Sequence, residues 1–549
     1  MRYVPTTLAV LARFRRGLVV ALLAAGSAAG LRAHVDVPPR QGLLHEFAVD
    51  APIDPTQPVL RLTIVDASGR LLAARFELRV DDRSYDPATL GSHGIRFISE
   101  HTGKRQRLQV NYARGTGALE IGLPAGARRI EISAVRGFEF RPAAVTVEAK
   151  GRHTDVRLAL PVWSNLAADG WIAIEEHLHY ERLDPADDAR WLAMLDAEGL
   201  QCAHFLVLRR QGDPGLTTPQ YAYGPRGTAA GGGRLVVPGE EFRDNDQGHI
   251  NLLGIREVIE PVMNIGTNWP ANHDVLVETK KQGAIGGVAH GSLLGKHSTA
   301  VVDAVLGAAE FWEIANLHIY ELARWYQLMN CGYFLPPTAG TDLPNYPFRD
   351  PWQPFLGGVR TYVRMNTPAD ATQWQTGLRR GEVFVTSGPL IRLSVSGQGP
   401  GGIVRLPSGG GDVSVEAELS SPLTVRQLEL VHSGVVVAGE TTRIERAGIQ
   451  SLRIRRTIPF TESGWLAARG TGGRIAAMDR DSFAHTGVVR VLVGDAPVRS
   501  AADAGALIAG VRGEMEHYRD HGLYPGPVER EHVQAIFRRA IALLAEQKK

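Results

Sequence analysis

Apolar and polar side chains alternate from Val59 to Val65 (Val-Leu-Arg-Leu-Thr-Ile-Val), and the turn Asp66-Ala67-Ser68-Gly69 follows. Arg129 to Val135 repeats the pattern before Arg136-Gly137, and Val145 to Glu148 and Val156 to Leu160 extend it. A period of two at this spacing places alternate side chains on opposite faces of short strands, and predicts a small antiparallel β-sandwich over residues 34–161. The period changes after Trp163. Asp184 and Pro185 open a helix that Gly199 closes, with Trp191, Leu192 and Leu195 on one face. Leu200 to Leu208 reads as a strand, Asn272 to Gly283 as a helix, Ala284 to Ala289 as a strand and Glu321 to Asn330 as a helix. Strands alternating with helices predict βαβ units over residues 162–390, in a barrel or an open sheet. Gly224 to Gly233 reads as a flexible surface loop. Alternating strands return over residues 391–495, interrupted by turns from Gly397 to Gly411, and predict a second β-sandwich-like module. Residues 496–549 are helical, with Val533, Ile536, Phe537, Ala540 and Leu543 at helical spacing.

The first 33 residues carry a different signal. Arg13, Arg15 and Arg16 precede an apolar stretch from Gly17 to Gly30, and Leu31-Arg32-Ala33 ends on a small residue. This is the layout of a signal peptide, predicting a periplasmic or secreted protein, and the Arg15-Arg16 pair permits twin-arginine export. No other run approaches the length of a membrane span, so stable membrane insertion is not expected. A net charge of +2 over 549 residues gives no reason to expect a nucleic-acid partner. Two cysteines, Cys202 and Cys331, cannot form a cysteine-based zinc site, so a bound metal must use nitrogen and oxygen ligands.

Candidate chemistry lies between Glu175 and Asp342. His177 and His179 follow the apolar run Trp171 to Ile174, and on a strand residues two apart face the same side. Two imidazoles so placed can grip one divalent ion or two adjacent ones. Further acids and histidines end successive apolar runs: Glu241 after Val236 to Gly239, His249 in Gly-His-Ile-Asn, His290 after Gly286 to Ala289, Glu313 after Phe311-Trp312, and Asp342 in Gly-Thr-Asp. In barrel folds such strand ends converge on one mouth. No Gly-x-Ser-x-Gly elbow is present, which disfavours a serine hydrolase.

The ordered words His-x-His, Gly-x-Glu, Gly-His-x-Asn, a strand ending in His, an acid near Asn, and Gly-Thr-Asp resemble the PHP (polymerase and histidinol phosphatase) superfamily, nearest to its CehA/McbA-type metallohydrolases. Gly357 to Val363 and Arg380 to Pro389 are similar to words closing that group's catalytic domain. The resemblance covers about residues 163–390 and implies a distorted (β/α)7 barrel, flanked by two β-sandwich-like modules and a helical tail. It implies metal ligation by His177, His179, Glu241, His290 and Asp342, with Glu241 bridging two ions. His249 and Glu313 match as ligands or as supports for ligands. The family pattern is broken in three places. Leu343-Pro344 stands where a histidine ligand would follow Asp342, Gln201 to Phe205 replaces an acidic word and offers only His204, and His290-Gly291 replaces a His-Pro pair. One or two ions (zinc, manganese or iron) are therefore expected rather than three. The expected activity is hydrolysis of an ester, amide or carbamate bond of a small molecule by metal-activated water, with His249 or His318 moving a proton. A phosphoesterase, for which Lys296, Arg243 and Arg256 would supply positive charge, is one alternative. A non-catalytic surface or glycan-binding protein with a degenerate barrel is another. His297, like His318, is near the site in sequence.

Overall fold

The computed structural model describes residues 44–101, 106–211, 215–292, 297–317, 319–345, 348–365, 373–443 and 448–548. The signal peptide expected over residues 1–33, and the candidates Lys296 and His318, lie outside them. Strand makes up 41% and helix 20% of the chain, so β-structure dominates rather than an even alternation.

Residues 44–160 form two sheets. In one, the order is His45–Phe47, Gly94–His101, Gln106–Arg114, Ala73–Val80, Arg129–Val135, Ala143–Glu148. The other holds His153–Ala159, Val59–Val65 and Leu119–Gly122. Leu60, Leu62 and Ile64 from one sheet and Phe76, Leu78, Ile130 and Ile132 from the other share a dry core. Full burial of each such side chain contributes about 1.5–3 kcal/mol.

The central region is built on nine strands: β1 (Trp171–Leu178), β2 (Cys202–Val207), β3 (Arg234–Asp244), β4 (Gly248–Leu253), β5 (Ile285–Val288), β6 (Trp312–Ala315), β7 (Pro337–Ala339), β8 (Arg360–Arg364) and β9 (Val383–Thr386). Helices α1 (Asp188–Ala197), α2 (Asn272–Lys281), α3 (Ala300–Val305), α4 (Ala323–Asn330) and α5 (Trp374–Arg379) lie between them. Neighbours run in the order β7-β6-β5-β4-β3-β2-β1-β8-β9. The two ends of the β1–β7 arc meet: Leu178 and Leu343 form a parallel bridge, the Asp342 N–H donates to His177 O at 2.8 Å and the His179 N–H to Leu343 O at 2.6 Å. Trp191, Phe205, Trp312 and Trp325 are fully buried around this arc.

Regular βαβ alternation holds for β1-α1-β2, β5-α3-β6 and β6-α4-β7, whose strand pairs are parallel. It fails in the middle. β3 and β4 form an antiparallel hairpin, with Arg243 opposite His249, and β4 pairs antiparallel with β5. The chain turns at Asp244, whose carboxylate accepts the N–H groups of Asp246 and Gln247 at 2.8 Å each, and at Gly248 with φ +94°. The antiparallel turn brings the start of β4 to the same end as the finish of β3. The expected loop Gly224 to Gly233 is ordered in part: Gly224 is buried in a 3-10 turn, and Ala229–Gly231 pairs antiparallel with β3.

The C-terminal strands do not form an isolated layer. Leu390–Val395, Gly411–Ser421 and Gln450–Phe460 make a separate sheet, but Arg480–Thr486 pairs antiparallel with β9 and carries the central sheet onward through Gly464–Ile475 and Val425–His432. Within the expected turn region, Ile403–Leu406 is a strand paired parallel to Val489–Val493. The chain ends in two helices, α6 (Ala501–Asp520) and α7 (Pro527–Glu546). Val533, Ile536, Phe537, Ala540 and Leu544 are buried, whereas Leu543 is exposed. No helix among the described residues is long and apolar enough to cross a membrane.

Candidate metal centre

β1 runs on to Leu178, so His177 lies in its last pleat and His179 directly follows it, both at the mouth of the arc. Glu241 lies on β3, and His290 comes two residues after β5. Asp342 sits on the segment from β7 that closes the arc against β1. All five are buried. Their metal-binding atoms form two overlapping groups, His177/His179/Asp342 and His177/Glu241/His290, with every atom within 4.8 Å of the others in its group. The His179 Nε2 is 3.3 Å from Asp342 Oδ1 and 3.4 Å from Glu241 Oε2. The His290 Nε2 is 3.5 Å from Asp342 Oδ2 and 3.6 Å from Glu241 Oε1. The His177 Nε2 is 3.6 Å from Asp342 Oδ1.

The far sides of the rings are anchored. His177 Nδ1 donates to Glu313 at 3.1 Å, and His179 Nδ1 donates to Leu206 O at 3.0 Å. In the neutral ring with Nδ1 protonated, each Nε2 would offer a lone pair inward, the arrangement that fixes a metal-binding histidine. Glu313 also accepts the His290 N–H at 2.6 Å. Both of its oxygens are thereby engaged, and it stands behind His177 and His290 instead of among the inward-facing ligands. His249 stands likewise behind Glu241, its Nδ1 donating to Glu241 Oε1 at 2.8 Å, with Arg243 Nε 3.4 Å from its Nε2.

A test of fit for a cation comes from the polar atoms left over. His177 Nε2, His179 Nε2, both ring nitrogens of His290 and Asp342 Oδ2 are buried with no hydrogen-bond partner among the described residues. One such atom costs about 1–3 kcal/mol, and a convergent set of them is what a metal ion satisfies. Charge points the same way. Burial raises the pKa of Glu241 and Asp342, but His249 and Arg243 beside Glu241, and His177, His179 and His290 beside Asp342, hold both well below the ordinary carboxylate range. Burial lowers His177, yet Glu313 and Asp342 hold it well above the usual imidazole value. Ionised carboxylates crowd a dry space and draw positive charge into it. The buried His/Asp/Glu groups can hold a metal ion.

Two residues of the cluster carry backbone strain. His290 has φ +53° and Asp342 φ +56°, a left-handed conformation that costs a non-glycine residue of order 1–3 kcal/mol and persists where the surroundings enforce it. Gly340 fits for a steric reason: a Cβ there would stand 2.5 Å from His177 Cβ and 2.9 Å from Glu175 Oε1.

Glu175 and Asn251 are the supports that pattern reading passed over. Glu175 accepts the N–H groups of His177 and Thr341 at 3.0 Å each and of Gly357 at 2.9 Å, tying β1 to the Asp342 segment, and burial raises its pKa to about 7. The Asn251 amide lies 3.1 Å from His177 Nδ1; alternation from His249 along β4 carries that signal. Asn345 donates to Asp342 Oδ1. Burial pushes Glu176 and Glu240 well above the usual range, and neither belongs to the two groups. His204 packs edge-on against Trp374 and reaches Glu175 O at 3.4 Å, so it replaces no ligand. Cys202 and Cys331 are free and buried. A cavity of about 780 Å³ lined by Trp171, Phe384, Arg392 and Arg453 includes none of the cluster residues; its Arg392 and Arg453 are already paired with Asp169 and Glu418, so it offers no comparable chemistry. No family model, curated protein or solved structure matches this chain, and its functional reading rests on the geometry of the buried cluster.

Proposed function

We propose that the chain is a metal-dependent hydrolase of the PHP type, its β1–β7 arc acting as a distorted (β/α)7 barrel, which cleaves an ester, amide or carbamate bond in a small molecule. The observation that carries this reading is the convergence of three partnerless Nε2 atoms, from His177, His179 and His290, on the carboxylates of Glu241 and Asp342. A divalent ion held there supplies Lewis acidity, bringing the pKa of a water toward neutrality and polarising the scissile carbonyl. In this reading His177, His179 and His290 present neutral nitrogen donors, with His177 common to the two groups, and Glu241, whose Oε2 faces His179 and whose Oε1 faces His290, would be able to serve two ions. Glu313 and the Leu206 carbonyl hold the imidazole tautomers. His249 has both ring nitrogens engaged, by Glu241 and Arg243, which suits it to positioning Glu241 more than to carrying the leaving-group proton. Zinc, manganese and iron all suit this nitrogen and oxygen donor set.

A phosphoesterase is the second reading, and Arg243 favours it. Its guanidinium is buried, 3.8 Å from Glu241 Oε2, and makes hydrogen bonds only through Nε among the described residues. The terminal nitrogens remain available for an anionic group. The test is metal analysis of the purified protein with turnover of aryl ester, aryl carbamate and aryl phosphate substrates, for wild type and for His179→Ala and Asp342→Ala. Loss of bound metal and a fall of at least 100-fold in turnover are expected for both variants; unchanged turnover in both would overturn the proposal. Preference between the carbonyl and phosphoryl substrates decides between the two readings.

A further inference from the structure

A second group of nitrogen and oxygen donors lies where the C-terminal helices meet the central region. The β3–β4 turn carries Asp246, the segment after β5 carries His297, and α6 carries Glu514 and His517 about one helical turn apart. His517 Nε2 is 3.1 Å from Asp246 Oδ2, and His297 Nδ1 is 3.0 Å from Glu514 Oε2. The two imidazoles lie face to face, with centroids 3.4 Å apart and planes 10° from parallel. Donor atoms of Asp246, His297 and His517 all lie within 4.8 Å of one another. These side chains are 21–34% exposed, so solvent and ions reach them, unlike the buried cluster.

The two histidine–carboxylate pairs account for each imidazole singly, but not for bringing both rings face to face with donor atoms of three side chains within 4.8 Å of one another. Two protonated imidazoles in face contact repel one another, whereas two neutral ones that donate to Asp246 and Glu514 each leave the other ring nitrogen as an open lone pair. Two imidazoles with one or two carboxylates is a donor set for zinc, nickel or copper; magnesium and calcium favour oxygen throughout. The donors come from three chain segments more than 200 residues apart at the extremes, so a shared cation would add a further link between elements already joined by polar contacts such as Thr267 Oγ1 to Leu523 O.

We propose that Asp246, His297 and His517, with Glu514 as a fourth donor, form a separate, solvent-open site for a nitrogen-preferring transition-metal ion. This ion fastens α6 to the turn between the strand bearing Glu241 and the strand bearing His249. One ring must turn about its Cβ–Cγ bond for both imidazoles to address a single ion, and the partial exposure of the group leaves room for that movement. The inference does not depend on the chemistry of the buried cluster.

The full-length chain, stripped with a chelator, is loaded with zinc chloride, passed over a desalting column and assayed for bound zinc and for thermal melting. Wild type is expected to retain one zinc equivalent more than either His517→Ala or His297→Ala. The double variant His179→Ala/Asp342→Ala, which disables the buried cluster, is expected to keep one equivalent and to lose it when His517→Ala is added. Zinc is expected to raise the melting temperature of the double variant but not of the triple variant. Equal zinc in wild type, His517→Ala and His297→Ala would overturn the proposal, as would a folded double variant that retains none. If the double variant does not fold, the comparison of wild type with the two single variants decides. A double variant holding as much zinc as wild type would count against the buried metal centre while leaving this site standing.

Discussion

Replacing Gly340 by alanine tests whether the closure of the arc sets the ligand geometry. The new methyl would stand 2.5 Å from His177 Cβ, 3.0 Å from the His177 nitrogen and 2.9 Å from Glu175 Oε1. Ordinary contact begins near 3.4 Å, so the Asp342 segment and β1 must part by about 1 Å, and two of the three obstacles belong to backbone or to a Cβ that cannot swing aside. Overpacking of this kind costs roughly 1–3 kcal/mol. The functional effect is expected to exceed the structural one, because metal–ligand distances tolerate only about 0.2 Å and a 1 Å misplacement of reacting groups costs roughly 100-fold. Asp342, two residues on, is 3.3 Å from His179 Nε2 and 3.6 Å from His177 Nε2, and it cannot keep both distances if the segment shifts. The assay pairs metal content after dialysis with kcat/KM on whichever aryl substrate the wild type hydrolyses, at a temperature where circular dichroism shows the variant folded. A folded Gly340→Ala protein with full metal content and activity within twofold of wild type would refute the reasoning.

Further outcomes follow from other parts of the molecule. Glu313→Gln keeps the shape but weakens the grip on the His177 tautomer, and metal affinity is expected to fall roughly 10- to 100-fold in a competition titration. Asp303 is buried on α3, and burial raises its pKa to about 7. An acid raised in the folded state contributes stability that is fully present below its unfolded value of 3.8 and lost as pH rises through about 7. Asp303→Asn should therefore flatten the pH dependence of urea unfolding between pH 4 and 7 by an amount of order a few kcal/mol, and an unchanged slope would count against it. Gly510 and Gly513 are exposed within α6, with no atom within 4 Å of an added Cβ. Alanine at either should stabilise the protein by roughly 0.5–1 kcal/mol, read as a higher melting temperature.

The cluster was legible in the sequence to the extent that it is written in local spacing. His177 and His179 face one way because strand periodicity is a property of the backbone, and His290 and Asp342 follow short apolar runs that end at the same mouth. What spacing does not encode is pairing direction. β3 and β4 read as separate βα junctions, yet the Asp244 turn and Gly248 fold them into a hairpin, and only that hairpin sets His249 against Glu241. The bracing role of Glu175 was hidden for a similar reason, since its three backbone partners are up to 182 residues away. Glu313 looked like a ligand because the alternation that turns it inward does not reveal that both its oxygens are taken by His177 and His290. Leu543 satisfied the helical stripe on paper, but neighbouring Leu544 points to the interior.

The pairing of β9 with Arg480–Thr486 has a practical consequence for anyone seeking a minimal fragment. Cutting the chain near residue 390 would not release an autonomous unit; it would leave one edge of β9 without its partners along a register from Phe384 to Thr386, with only the β8 edge still paired. An unprotected strand of that composition is a template for intermolecular addition. Recombinant pieces ending there are expected to precipitate, whatever the condition of the buried histidines, and soluble expression will require the strands on both sides of that seam.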